Sequence, residues 1–163
     1  MKLKVILIIA LTIGLFNACR MGTDKRQHNT TATADSTEME SISIPFTVAD
    51  RYFVNNTVTT IESPKITFRE EFDNLFGMAA TMAENGQPTP IDFTKQFVIA
   101  VIKPESNLET TLTPISLQTD GNHKVVFTYR FEQGREMSYT TKPCLLIVVD
   151  KEATGEVVLN EIQ

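Results

Sequence analysis

Two unbroken apolar segments constrain the fold of this chain more than any other feature of its sequence. They are residues 97–102, which read FVIAVI, and residues 144–149, which read CLLIVV. A strand with one face in water alternates apolar and polar residues, whereas a strand covered on both faces is continuously apolar. The sequence therefore predicts that residues 97–102 form a central strand, and that residues 144–149 form a second strand of the same kind.

Three further strands are predicted, two of them from alternating patterns. Residues 113–119 and 125–131 alternate apolar and polar side chains, so each should bury one face. The tripeptide Asp-Gly-Asn at residues 120–122 lies between them and is typical of a hairpin turn. A second turn at residues 152–155 leads to a last strand at Val157–Ile162.

A first helix is predicted near the start of the globular region. Thr47 is followed by Asp50 at the spacing of a helix start, and residues 55–56 are two asparagines that would end the helix. Residues 57–61 are predicted as a short strand. The apolar stripe of this helix would consist of Phe46, Ala49, Tyr52 and Phe53.

A second helix is predicted from Thr67, which forms a capping-box pattern with Glu70. Gly77 would end or bend it. Helices first and strands afterwards favour an α+β fold, with short N-terminal helices packed on a mainly antiparallel sheet of about five to six strands. The apolar face of the second helix would consist of Phe68, Phe72, Leu75 and Phe76.

The N-terminus has the features of a secretory signal peptide. Lys2 and Lys4 precede an apolar segment at residues 5–16, which is shorter than the roughly 20 residues of a membrane span. The tetrapeptide FNAC that follows resembles the lipobox of bacterial lipoprotein precursors. This resemblance implies cleavage before Cys19 and attachment of lipid to its sulfur and its new amine. Two or more acyl chains give stable anchoring, whereas one gives only marginal binding.

The chain is therefore predicted to have three parts. Residues 1–18 are the signal peptide, and residues 19–41 are a lipidated flexible tether rich in threonine, serine and charge. Residues 42–163 form a single globular α+β domain of ordinary size.

The charge of the chain argues against two kinds of partner. Removal of residues 1–18 takes away Lys2 and Lys4, which changes the formal net charge from −5 to −7. A negative chain without a basic cluster is a poor ligand for nucleic acid and for anionic headgroups. We expect membrane contact through the lipid alone, no nucleic acid partner, and no transmembrane helix in the mature chain.

Candidate catalytic residues are few. The two histidines are His28, in the tether, and His123, in the predicted hairpin turn. A triad can be drawn from His123, Asp120 and Ser138, but none of them lies in a nucleophile-elbow pattern. We therefore predict no catalytic residue.

The second cysteine has two interpretations. Cys144 is either a catalytic thiol or a small buried hydrophobe, and its place at the start of CLLIVV favours burial. A disulfide between Cys19 and Cys144 suits an oxidising envelope, but a lipid thioether would consume the Cys19 sulfur.

No metal or cofactor is predicted, because the chain has no CxxC or HxxxH pattern, no clustered aspartates and no glycine-rich phosphate loop. One set of aromatic residues either lines a ligand pocket or belongs to the core, and its spacing favours the core. The set comprises Tyr129, Phe131, Tyr139, Phe68, Phe72 and Phe76.

Residues 91–162 resemble the C-terminal domain of PrcB-like proteins, small lipoproteins that are accessory subunits of a surface protease complex. The similar segments are IDFTKQFVIAVI, TPISLQTDGNHKVVFTYR and SYTTKPCLLIVVDK followed by VVL. Where that family usually has a Gly-Gly-Tyr-like turn, this chain has KPESNLETTLTP. The segments IPFTVADRYFVNN and FREEFDNLFGMAA resemble uncharacterised gut-bacterial lipoproteins.

The resemblance to PrcB-like proteins implies a non-catalytic role in binding or stabilising a partner protein. We therefore predict a non-enzymatic, lipid-anchored envelope protein; an envelope hydrolase or a small-ligand-binding lipoprotein is the alternative. CRMGTDKR after the cleavage site has only Asp24 as an acid, whereas surface-exported lipoproteins of this type often carry an acidic run there. This favours an outer-membrane lipoprotein that faces the periplasm.

Overall fold

The computed structural model of this protein describes residues 41–82 and 86–163. Strands make up 52% of these residues and helix only 6%, so the fold is mostly β and the predicted α+β class is wrong. None of the helix in these two ranges is long and apolar enough to cross a membrane. The elements, in chain order, are β1 (Ile42–Ser43), β2 (Thr47–Val48), β3 (Tyr52–Val54), β4 (Lys65–Ile66), α1 (Arg69–Leu75), β5 (Phe76–Met78), β6 (Gln96–Ile102), β7 (Ser106–Thr119), β8 (Val125–Thr141), β9 (Cys144–Asp150) and β10 (Val157–Ile162).

The strands form two four-stranded sheets and one small ribbon, not one sheet of five to six strands. Sheet A has the order β1-β7-β8-β10, and sheet B has the order β2-β9-β6-β4. The ribbon consists of β3 and β5. β10 pairs in parallel with β8, and the other described strand pairs are antiparallel.

The centre of the fold is one long hairpin that is folded over on itself. β6 pairs with β9 in sheet B, and β7 pairs with β8 in sheet A. Ile102 lies opposite Cys144, and Ser106 lies opposite Thr141. The connection from β6 to β7 and the connection from β8 to β9 therefore pass between the sheets at the same corner. Pro104 lies in one of these crossings. At the corner, the backbone N–H of Lys103 donates to the carbonyl of Pro143 at 2.9 Å.

One hydrophobic cluster fills the space between the two sheets. Alternate residues of β6 and β9 point from sheet B toward the inner face of sheet A. This arrangement is a β-sandwich core. Its buried members are Phe97, Ile99, Val101, Leu117, Val125, Phe127, Tyr129, Leu145, Ile147, Val149 and Val157.

A second cluster covers the opposite face of sheet B. The remaining alternate residues of β6 and β9 pack there against α1, the β3–β5 ribbon and neighbouring loops. Sheet B is thus buried on both faces, which confirms the prediction made from the two apolar segments. The buried members of this cluster are Ala49, Val54, Val58, Ile66, Phe72, Phe76, Ile91, Val98, Ala100, Leu146 and Val148.

The first predicted helix is wrong. Its residues form β2 and β3 instead, and Arg51 between these strands adopts a left-handed backbone conformation with φ of 65°. The turn at Arg51 brings Ala49 and Tyr52, which are three residues apart, to the same core cluster, so two residues of the predicted stripe reach one core without a helix. Residues 57–61 do not form the predicted strand.

The second predicted helix exists but is only seven residues long. Its N-cap is Phe68, which makes no side-chain capping bond, so the predicted capping box from Thr67 does not form. Phe72 is buried, whereas Phe68 is 70% exposed. Phe76 is the C-cap of α1 and begins β5, so the chain leaves the helix before Gly77.

The predicted hairpin turn between β7 and β8 is confirmed. The Asp120 carboxylate accepts hydrogen bonds from the backbone N–H of Asn122 at 2.9 Å and of Lys124 at 2.8 Å. His123 adopts the left-handed conformation with φ of 59°. Both flanking strands extend well beyond the predicted segments, because β7 begins at Ser106 and β8 ends at Thr141.

Candidate functional site

The structure does not assemble the triad drawn from the sequence. His123 is exposed in the turn before β8, and Ser138 is exposed near the other end of that strand. At roughly 3.3 Å per strand residue, the stretch of β8 between them spans about 40 Å. The Asp120 carboxylate is already bonded to the backbone of its own turn. These three residues cannot act on one substrate.

Cys144 lies at the start of β9, where its side chain is half-buried against the second core cluster. Its Sγ lies 4.0 Å from the carbonyl oxygen of Tyr52, in position to donate a weak hydrogen bond. Burial raises the pKa of the thiol, so it stays protonated near neutral pH and is a poor nucleophile. Cys19, the predicted lipidation site, lies outside the described residues.

The predicted aromatic core set is divided by the structure. Phe72, Phe76 and Tyr129 are buried. Phe68 and Tyr139 are exposed by 70% and 60%, so they are not core residues.

A charged network that the sequence did not reveal lies on the side of the sandwich formed by β4 and β10. Lys103 Nζ lies 2.6 Å from Glu161 Oε2, and the Tyr129 hydroxyl donates to the same oxygen at 2.5 Å. Lys103 Nζ also lies 4.1 Å from the centre of the Phe131 ring. The Lys103 and Glu161 side chains are 19% and 33% exposed, so the pair is partly shielded from water.

The pKa values of Glu161 and Tyr129 in this network are both shifted away from neutral pH. The hydrogen bond from Lys103, and then the one from Tyr129, lower the pKa of Glu161. Burial, and then the hydrogen bond to Glu161, raise the pKa of Tyr129. A general acid or base works best with a pKa near the working pH. The network is therefore suited to holding β10 in place and not to proton transfer.

A second lysine closes the same side of the sandwich. Lys65 Nζ donates to the carbonyl of Gly155 at 3.1 Å and lies 4.5 Å from the centre of the Phe97 ring. Like Lys103, it covers a core aromatic ring with its cation while reaching a group at or near β10. Lys65 and Lys103 therefore link this side of the sandwich to β10 and to the turn that precedes it.

On the opposite side of the sandwich, the outer edge of β7 is only partly paired. β1 pairs with β7 only at Gln118 and Thr119, and the N–H of Ile44 donates to the carbonyl of Leu117 at 2.8 Å. Within the described ranges, no other backbone hydrogen bond reaches the outer edge of β7. We call the outer edge from Thr110 to Pro114 the open edge.

The register shows which backbone groups face the open edge. Leu117 bonds outward to Ile44, so Leu117 and Phe127 form a pair without mutual hydrogen bonds. Such pairs recur at every second residue of β8, which, unlike β7, has no extra residue at the register shift between Pro114 and Ser116. Pro114 opposite Tyr129, Leu112 opposite Phe131 and Thr110 opposite Gln133 are therefore of the same kind. Thr110 and Leu112 each present an N–H and a C=O to the open edge.

A cavity of about 290 Å³ lies beside the open edge, between β7 and β9. Its walls include apolar side chains from both sheets, and the strained turn at Arg51 forms part of its rim. The lining residues are Val48, Ala49, Asp50, Arg51, Tyr52, Leu112, Pro114, Cys144, Leu145 and Leu146. The lining is both polar and apolar, and an extended segment paired with β7 could place one of its side chains in this cavity.

In residues 41–82 and 86–163, no group of three or more histidine, cysteine, aspartate or glutamate side chains is placed to hold a metal ion. No protein-family model matches the chain, and neither a curated protein nor a solved structure does so. The candidate site therefore rests on the geometry of this molecule alone.

Proposed function

We propose that this chain is a non-enzymatic, lipid-anchored protein of the bacterial cell envelope that binds a partner protein. The partner would contribute an extended segment that pairs with the open edge of β7 and adds a strand to sheet A. The observation that carries this proposal is that β7 has 14 residues, whereas β1 pairs with only two of them. Unpaired N–H and C=O groups on a strand edge are a template for another strand.

The groove beside the open edge supports the same proposal. Thr110 and Leu112 offer two donors and two acceptors, and each net hydrogen bond contributes about 0.5–1.5 kcal/mol. The side chain of Leu112 also lines the neighbouring cavity, which would receive a side chain of the incoming segment. Backbone pairing would supply affinity, and the size and mixed polar and apolar lining of the cavity would restrict which side chain enters it.

The sequence supports the location. The lipobox resemblance at Cys19 implies an acyl anchor, and the residues after it favour the periplasmic face of the outer membrane. The resemblance of residues 91–162 to PrcB-like accessory lipoproteins agrees with a role in holding another protein.

Site-specific photo-crosslinking in cells tests the proposal. A photoreactive amino acid at Thr111, which is exposed on the edge strand β7, should give a discrete adduct with another protein. The same amino acid at Arg130 is the control, because Arg130 is exposed on β8 in the interior of the same sheet. Equal adducts from Thr111 and Arg130, or none from Thr111, would contradict strand addition.

A matched pair of substitutions at Thr110 then tests the backbone. Thr110→Ala removes the hydroxyl, which bonds to the carbonyl of Leu108 at 3.0 Å, but retains the outward N–H. Thr110→Pro removes the N–H as well and leaves the ladder with β8 in place, because residue 110 does not bond to β8. The adduct from Thr111 should persist with Thr110→Ala and fall about two- to tenfold with Thr110→Pro, the loss of one backbone bond. Equal adducts from the two variants would refute pairing at this position.

A further inference from the structure

Pro114 lies at one end of the open edge and interrupts it in two ways. Its nitrogen faces outward but carries no hydrogen, so it cannot donate to an added strand. The register between β7 and β8 also shifts between Pro114 and Ser116, and such an irregularity bends a strand edge. Ile115, inside this irregularity, is 45% exposed.

These features disfavour pairing with a second copy of this chain more than they disfavour pairing with a different protein. Two copies that joined their open edges would be related by a twofold axis, so every defect would occur twice. With the two copies of Leu112 opposite each other, Pro114 of each copy would face Thr110 of the other. The Thr110 carbonyl of both copies would then receive no donor. A single incoming strand meets Pro114 once, or ends before it.

We propose that Pro114 is the residue that prevents the open edge of β7 from pairing with a second copy while leaving Thr110 and Leu112 available to a partner. This inference rests on the proposed strand addition and assigns its specificity to one residue. Proline on edge strands protects proteins from edge-to-edge association by the same physical effect.

The test is the self-association of the purified, lipid-free chain with Cys19→Ser and without residues 1–18. Pro114→Thr and Pro114→Ala each restore the outward N–H, and we expect both to dimerise at least about tenfold more tightly in sedimentation equilibrium. Pro104→Thr, at the corner of the long hairpin, is the matched control and should behave as the parent chain. Adding Thr110→Pro to Pro114→Thr should restore the parent's behaviour.

Two results would overturn the role of Pro114. One is a pair of folded Pro114 variants that remain as monomeric as the parent, with circular dichroism showing that the sheets are intact. The other is dimerisation that Thr110→Pro does not reverse, since the dimer would then use another surface. Failure of the proposed function itself has a different signature, namely a missing adduct at Thr111 in cells.

Discussion

Replacing Glu161 with glutamine should destabilise the fold, because its carboxylate joins three elements. It accepts a hydrogen bond from Lys103 after β6 at 2.6 Å and from Tyr129 of β8 at 2.5 Å, while Glu161 itself lies on β10. Glutamine retains one oxygen that can accept from both groups, as Oε2 does in the parent chain, but removes the charge. The Lys103 ammonium would then lie half-buried over the Phe131 ring without its counterion.

The magnitude follows from the geometry and the exposure of the pair. Hydrogen bonds to charged groups contribute about 1.5–3 kcal/mol, and partial exposure of Lys103 and Glu161 reduces this by screening. We expect a coupling energy of about 1–2 kcal/mol from a double-mutant cycle of Lys103→Met and Glu161→Gln. Methionine keeps most of the apolar stem over the Phe131 ring and removes the ammonium group, with its charge and its hydrogen bond to Glu161.

The coupling should also depend on pH with a defined sign. Because the pKa of Glu161 is lowered in the folded chain, its stabilising contribution is present above the unfolded pKa of about 4.3. That contribution is lost as the pH falls through the lower folded pKa. The coupling energy should therefore be constant from about pH 7 to pH 5 and decline below about pH 4.

Urea unfolding of the lipid-free chain measures the cycle, and a second ion pair supplies the control. Lys124 and Glu156 lie 3.9 Å apart with side chains that are 48% and 75% exposed, so their coupling should be about 0–0.5 kcal/mol. A coupling between Lys103 and Glu161 no larger than this control would contradict a stabilising role for their ion pair. A coupling that persisted undiminished well below the folded pKa of Glu161 would contradict the role of its charge.

Two further predictions concern a turn and the anchor. Gly155→Ala should cost about 2–4 kcal/mol in unfolding free energy, because φ is 129° and an added Cβ would overlap the backbone carbonyl of His123. Gly134→Ala should change stability by less than about 0.5 kcal/mol, since its nearest neighbour is the flexible carboxylate of Glu109 at 3.1 Å; equal effects would contradict the difference. Metabolic labelling with an alkyne fatty acid should mark the parent chain and not Cys19→Ser, and retained label in that variant would exclude the predicted anchor.

The strands after residue 96 were predictable because their patterns are local. A continuous apolar run or a strict alternation is visible in the sequence whatever packs against it. The ends of β7 and β8 were not predictable, because residues 132–140 are mostly exposed polar residues with no buried face to impose alternation. The sequence also showed that sheet B needed cover on both faces without showing that a second sheet would provide it.

The first helix was predicted wrongly because a helix and two strands joined by a turn can give similar patterns of apolar residues. Of the predicted stripe, Ala49 and Tyr52 pack in one core cluster, whereas Phe46 packs against the other, between the sheets. The change of direction occurs at Arg51, where an arginine adopts a left-handed conformation that is more typical of glycine or asparagine. No local signal marks that position as a turn.

The open edge exists because the chain leaves sheet A early, at a point that no sequence motif marks. It could therefore not be predicted from the sequence. After Ile44 the chain no longer pairs with β7 and crosses to sheet B, where β2 pairs with Val148 and Ile147 of β9. The short segment from β1 to β2 thus pairs with one end of β7 and with part of β9. It leaves a groove between the remainder of β7 and β9. A longer β1 would pair with Thr110 and Leu112 and fill the groove. The length of β1 therefore determines whether this sandwich can accept a strand from another protein.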